Sequence, residues 1–295
     1  MGATALQTPA GGGAEIVGEQ SQSSSGILSG ESEWSVFMRR HGRVPAISDD
    51  KKPWEYPGWL LYYLLALEER LEVPNRWDYW MQTMCAGRIL DEPIPQIEFA
   101  APRSAEQASA FNAIEEWARL VEREGRNWNP MRDLIDWFLW GFGLAGEPPQ
   151  MTGKLFESLY RAVDLSVLLE SPYDWLGEFV SLHKGKFNPT GFFPTPHSVV
   201  DLMLKIQLEG IEKTSSVADP CVGSGRMLLH ASNRSLRLYG ADIDRTMIAI
   251  AKINGMLYAP WMTKPFPESF FADGRDCLTG LEVRDSLRDP PAGRS

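Results

Sequence analysis

Two short stretches carry the residues best suited to chemistry. Val217-Ala218-Asp219-Pro220-Cys221-Val222-Gly223-Ser224-Gly225 reads as a strand that ends in a glycine turn and opens into a helix. Further on, Tyr239-Gly240-Ala241-Asp242-Ile243-Asp244 reads as a second strand with an acidic end. Glycine lets the backbone bend sharply and lets a ligand come close. In a parallel sheet, the carboxylate at the neighbouring strand end accepts ribose hydroxyls, so the pair suits a nucleoside. Asp219 would lie among the peptide N–H groups of the turn, where a carboxylate accepts those donors and also attracts a cation. Two phosphate-binding patterns fit less well. A dinucleotide site wants a third glycine where this chain has Leu228, and no Gly-Lys-Ser/Thr follows the turn.

The elements that must position these residues alternate. A helix after Thr195-Pro196 is expected to carry Val199, Val200, Met203 and Ile206 on its apolar face. Then come a strand near 215–218, a helix from about 225, a strand near 236–241, a helix near 245–258 and a strand near 269–273. Such alternation predicts an α/β fold with a parallel sheet. The stretch before it, 34–183, reads as helical. Trp59, Leu60, Tyr63, Leu64 and Leu67 recur at helical spacing, Ser104 with Gln107 makes a capping box, and Asn129-Pro130 is a cap with a first-turn proline. Its many Trp side chains belong in the core rather than on a stacking surface. Residues 1–33, rich in Gly, Ser, Ala and Gln, form an expected disordered tail. The sheet region is expected over 184–295.

Composition limits the function classes. The 295-residue chain has a net charge of −10, so it lacks the overall basic footprint of a nucleic-acid binder. Any contact with DNA would be local or made through a companion chain. Lys184 and Lys186 are the best local candidates, and the group Arg39, Arg40, His41 and Arg43 is more simply a solvated surface. Three scattered cysteines give neither a disulfide framework nor metal spacing, which suits a reduced, cytoplasmic setting without a metal. Cys221 reads as a small space-filler, and His183 and His197 as surface residues. No run is long and apolar enough to span a membrane.

With Gly191-Phe192-Phe193-Pro194-Thr195-Pro196 upstream and Asp276-Cys277-Leu278 downstream, the two stretches resemble the adenine-specific N-6 DNA methyltransferases, particularly the modification subunits of type I restriction systems. The resemblance covers roughly residues 185–280. It implies a partial, Rossmann-like S-adenosylmethionine-dependent methyltransferase sheet preceded by a mostly helical region. It implies S-adenosylmethionine as cofactor and methyl transfer to the exocyclic amine of adenine in DNA. Phe193, Thr195 and Pro196 would lie over the methionine part, Asp219, Pro220, Gly223 and Gly225 would form the turn, and Asp242 would take the ribose. Ile243 would face adenine, and Asp276 would meet its amino group, with Asp273 as rival; Asp244 is expected to cap a helix.

The family's catalytic element, Asn/Asp-Pro-Pro-aromatic, has one counterpart here, Asp289-Pro290-Pro291. It is followed by Ala292, which cannot stack on a flipped base. Val283-Arg284-Asp285 and its continuation lack the apolar run of a buried strand. The expectation is therefore an incomplete core, active as a fragment or subunit alongside DNA and a specificity subunit. The alternative is a non-catalytic cofactor-binding or scaffolding module of a modification or defence assembly.

Overall fold

The structure, a computed structural model, describes residues 52–71, 73–99, 104–124, 129–183, 192–264 and 280–284. The tail 1–33, the group at 39–43, Lys184, Lys186, the strand expected at 269–273, Asp273, Asp276 and Asp289-Pro290-Pro291 lie outside these residues.

Among the described residues the helical layer comprises α1 Trp59–Leu71, α2 Arg76–Ala86, α3 Ser104–Glu124, α4 Pro130–Gly141, α5 Gly153–Ala162, α6 Ser166–Leu169 and α7 Trp175–Leu182. Side-chain caps start four of them. Asn75, Asn129, Thr152 and Asp174 accept from the backbone N–H of Asp78, Arg132, Leu155 and Gly177. Trp77, Trp80, Trp117, Trp137, Trp175 and Trp261 are fully buried, so the tryptophans do build the core.

The sheet follows as α8 His197–Gln207, β1 Ser216–Asp219, α9 Arg226–Ala231, β2 Arg237–Asp242, α10 Arg245–Tyr258 and β3 Gly280–Val283. Its order is β1-β2-β3, and both pairings are parallel. α9 packs on β1 and β2, and α10 on β2, β3 and the helical layer at α4. The fold is thus α/β, as expected, but two details differ. β3 lies at 280–283, beyond the strand expected near 269–273, because β2 supplies its ladder. Its alternation is short, with Leu281 and Val283 packed on the core and Glu282 exposed. In α8 the inward face is His197, Val200 and Leu204, whereas Val199 and Ile206 are exposed. Thr195 does not cap it; Pro196 occupies the cap position without a side-chain bond.

A buried arginine ties the helical layer to the sheet. Arg76 of α2 donates to Pro95 O at 2.8 Å, Ser232 Oγ at 2.6 Å, Tyr258 O at 3.0 Å and Asn233 Oδ1, and lies over the Trp261 ring. Glu68 is buried nearby. Burial raises its pKa to about 8, against the opposing pull of the Trp77 backbone N–H and Arg76. The native chain therefore holds a proton on Glu68 between the ordinary carboxylate value and about pH 8, where the unfolded chain has lost it. Stability from this group is complete at low pH and is lost as pH rises through that window. Glu68→Gln is expected to remove this slope. Urea denaturation compared at pH 6 and pH 8 should show the unaltered chain losing about 2 kcal/mol relative to the variant.

Candidate functional site

The parallel register places Asp219 beside Gly240, so the ends of β1 and β2 open on the same edge. The turn after Asp219 is closed by two backbone hydrogen bonds, one to β2 and one within the turn. Val222 N donates to Ala241 O at 3.1 Å, and Gly225 N donates to Val222 O at 2.9 Å. Gly223 and Gly225 have φ of 54° and 89°, a region that side-chain-bearing residues avoid. Asp242 reaches across from β2. Its Oδ2 accepts from Gly223 N and its Oδ1 from Asp244 N, both at 2.9 Å. Glycine bend and acidic strand end are therefore in direct contact.

Asp219 accepts from Cys221 N at 3.0 Å. Burial, and then the negative charge of Asp242, raise its pKa against that hydrogen bond. The turn thus carries a concentrated negative potential, which suits a cation and repels phosphate. A carboxylate has about four lone-pair sites, and Asp242 uses one on each oxygen for the turn, so acceptor capacity remains for hydroxyl groups. Ile243, beside it, is 55% exposed and offers an apolar surface at the strand end. Asp244 accepts from Thr246 N and Met247 N, which makes it the cap of α10, as expected.

The upstream segment packs on the turn through Phe192. The ring of Phe192 rests on Gly223, where a Cβ would lie 2.8 Å from it. Phe193 is 87% exposed. The carbonyl of Thr195 accepts from Arg226 Nη1 at 3.0 Å. Phe193 and Pro196 line a separate cavity of about 1340 Å³, whose walls also include Glu178, His197, Arg226 and His230. Neither Asp219 nor Asp242 lines it. Pro220 and Cys221 are exposed, so Cys221 is not a space-filler.

A buried polar cluster behind the turn escaped the sequence reading. Asp174, fully buried, accepts from Gly177 N, Asn254 Nδ2 at 2.7 Å, Ser224 Oγ, and Arg226 Nε and Nη2 at 3.2 and 3.1 Å. Arg226 Nη2 also donates to Glu178 Oε2 at 2.8 Å. Burial pushes the Asp174 carboxyl up, with Arg226 as the main opposing influence. Burial alone would weaken the guanidinium, but Asp174 and Glu178 outweigh it and hold Arg226 above its ordinary value. The available signal is a charged residue, Arg226, placed directly before the apolar run Met227-Leu228-Leu229.

His197 is 5% exposed rather than a surface residue. Tyr173 stacks on it at 4.2 Å, and its Nδ1 lies 2.8 Å from His230 Nε2. Burial first, then Arg226 and the partner ring, lower His197 to about 2; burial lowers His230 to about 4. Both are bases that the unfolded chain protonates below about pH 6.5 while the native chain does not. Their stabilisation is present at neutral pH and falls as pH drops toward 4. In the Glu68→Gln background, which removes the opposing slope, lowering pH from 7 to 5 is expected to cost about 4 kcal/mol, about 2 from each ring, by urea denaturation.

Residues 169–260 match the model of the N-6 DNA Methylase family. The match starts before Asp174, so the cluster behind the turn lies within it. The type II restriction enzyme and methyltransferase RM.BcgI of Heyndrickxia coagulans is 29% identical over 40% of this chain and 21% of its own length. The type I restriction enzyme MjaVII methylase subunit of Methanocaldococcus jannaschii is 31% identical over 39% of this chain and 22% of its own. The chain thus spans about a fifth of the length of these curated relatives. A solved Listeria monocytogenes chain, described as a class I S-adenosylmethionine-dependent methyltransferase, overlaps with a TM-score of 0.36 and 18% identity, covering 53% of this chain and 51% of that one. Among the described residues no helix is long and apolar enough to cross a membrane, and no group of three His, Cys, Asp or Glu could hold a metal ion.

Proposed function

We propose that the chain binds S-adenosylmethionine at the turn between β1 and β2 and serves as the cofactor-binding part of an adenine-N6 DNA methyltransferase. The observation that carries this reading is the contact between Gly223 N and Asp242 Oδ2, because it brings the bend and the ribose acceptor to one nucleoside-sized edge. Asp242 would hold the ribose hydroxyls, Ile243 would cover one face of the adenine, and the negative charge of Asp219 and Asp242 would favour the cationic end. Bound there, the cofactor would supply the methyl group. The chain's own contribution is orientation, holding donor and acceptor in line rather than forming a covalent intermediate.

DNA is the proposed substrate, reached with a companion or specificity subunit in a cytoplasmic assembly. A second reading has one specific support: Asp289-Pro290-Pro291 is followed by Ala292, so the sequence has no aromatic residue there to stack on a flipped adenine. On that reading the chain binds cofactor and scaffolds an assembly without transferring methyl groups. A titration of the full chain with S-adenosylmethionine, beside a labelled methyl-transfer assay on adenine-containing DNA, separates the two. Binding with transfer supports the first reading. Binding without transfer, even with a companion chain that carries an Asn-Pro-Pro-aromatic element, supports the second. Absence of binding sinks both.

A further inference from the structure

Ser224 stands between Gly223 and Gly225 and is gripped at both ends. Its hydroxyl donates to Asp174, and its carbonyl accepts from Asn254 Nδ2 at 2.9 Å. Nothing intrinsic to two glycines holds their backbone in one state, since glycine visits many conformations readily. The grip must come from outside the turn. Asp174 supplies it from the cap of α7, and Asn254 from the middle of α10. Arg226, which neutralises Asp174, also holds the Thr195 carbonyl. Thr195 belongs to the segment whose Phe192 ring rests on Gly223. One buried ion pair therefore fixes both the turn and the segment beside it.

We propose that Asp174, Arg226 and Asn254 are positioning residues for the cofactor turn, so that the layer before the sheet sets the affinity of the site. The inference rests on the cofactor reading above and adds a role for residues that do not touch the ligand. Asp174 is 0% exposed and cannot reach a bound nucleoside. Its effect must pass through Ser224 and Arg226. A turn held in its bound shape before the ligand arrives binds with less loss of freedom.

The test is a calorimetric titration of the full chain with S-adenosylhomocysteine, run beside thermal melts. Ser224→Ala removes one hydrogen bond to Asp174, and Asp174→Asn removes the charge. Each is expected to weaken binding about tenfold, the worth of one hydrogen bond to an ionised group. Arg76→Met is the control. It breaks the other buried junction, away from the turn, and should lower the melting temperature while leaving affinity within about twofold. Should Asp174→Asn fail to fold, Ser224→Ala carries the decision. Undiminished affinity in the folded variants, with binding by the unaltered chain, would overturn the inference alone. So would a loss of affinity in Arg76→Met that matches theirs. If the unaltered chain does not bind, the cofactor reading fails and this inference with it.

Discussion

Gly177→Ala should destabilise the chain by about 3–5 kcal/mol, in the range seen when a buried ion pair is broken. A Cβ at Gly177 would lie 2.5 Å from Asp174 Oδ1 and from Ser224 Oγ, and closer still to Asp174 Oδ2. Flexible side-chain ends can often yield to such a methyl group. This carboxylate cannot, because Gly177 N, Asn254, Ser224 and Arg226 hold it from several sides in the interior. Moving it leaves Arg226 without its main partner and frees Ser224 from one of its two anchors. Urea denaturation with a far-UV signal measures the loss. A midpoint close to that of the unaltered chain would show that the cluster has room the structure does not display.

Asp242→Ala is expected to weaken S-adenosylmethionine binding about 100-fold, since two hydroxyl bonds to one carboxylate contribute roughly 1.4 kcal/mol or more each. The variant should not be thermally silent. Asp242 also accepts from Gly223 N and Asp244 N, so its removal leaves two peptide N–H groups at a half-buried edge without their acceptor. An added loss of about 1–3 kcal/mol in stability follows. Asp242→Asn refines the measurement. It keeps the shape, but its amide NH₂ must point at one of those two donors. It should lose affinity while retaining more stability than the alanine variant. Calorimetry on both variants checks the order; equal affinity in all three proteins would remove Asp242 from the ribose.

The parts of the site that could be read from sequence are those where chemistry leaves a local mark. A strand followed by Asp219-Pro220 and two glycines needs no partner to be recognised, and neither does Asp242 at a strand end. The same holds for Asn129 ahead of Pro130, which caps α4 through Arg132 N. The cluster behind the turn has no such mark. Asp174 and Arg226 are far apart in the chain and meet only because α7 packs beside α10 and the turn. His197 read as a surface residue because nothing near it in sequence shows Tyr173 and His230 closing over it. β3 was missed for a related reason. Its four residues become a strand by pairing with β2, so the signal lies in the partner rather than in Gly280–Val283. Phe192 and Phe193 are adjacent and chemically identical, and only packing decides that Phe192 covers Gly223.

Arg76 and Asp174 also govern how the polypeptide can be divided. Severing it after His183 would strand ions on both pieces. The C-terminal half would keep Arg226 without Asp174 and Glu178. The N-terminal half would keep Arg76 without Ser232, Asn233 and the Tyr258 carbonyl. Neither half should be recoverable as a well-behaved separate product. Co-expressed, the two should reassemble, each supplying the counter-groups that the other lacks.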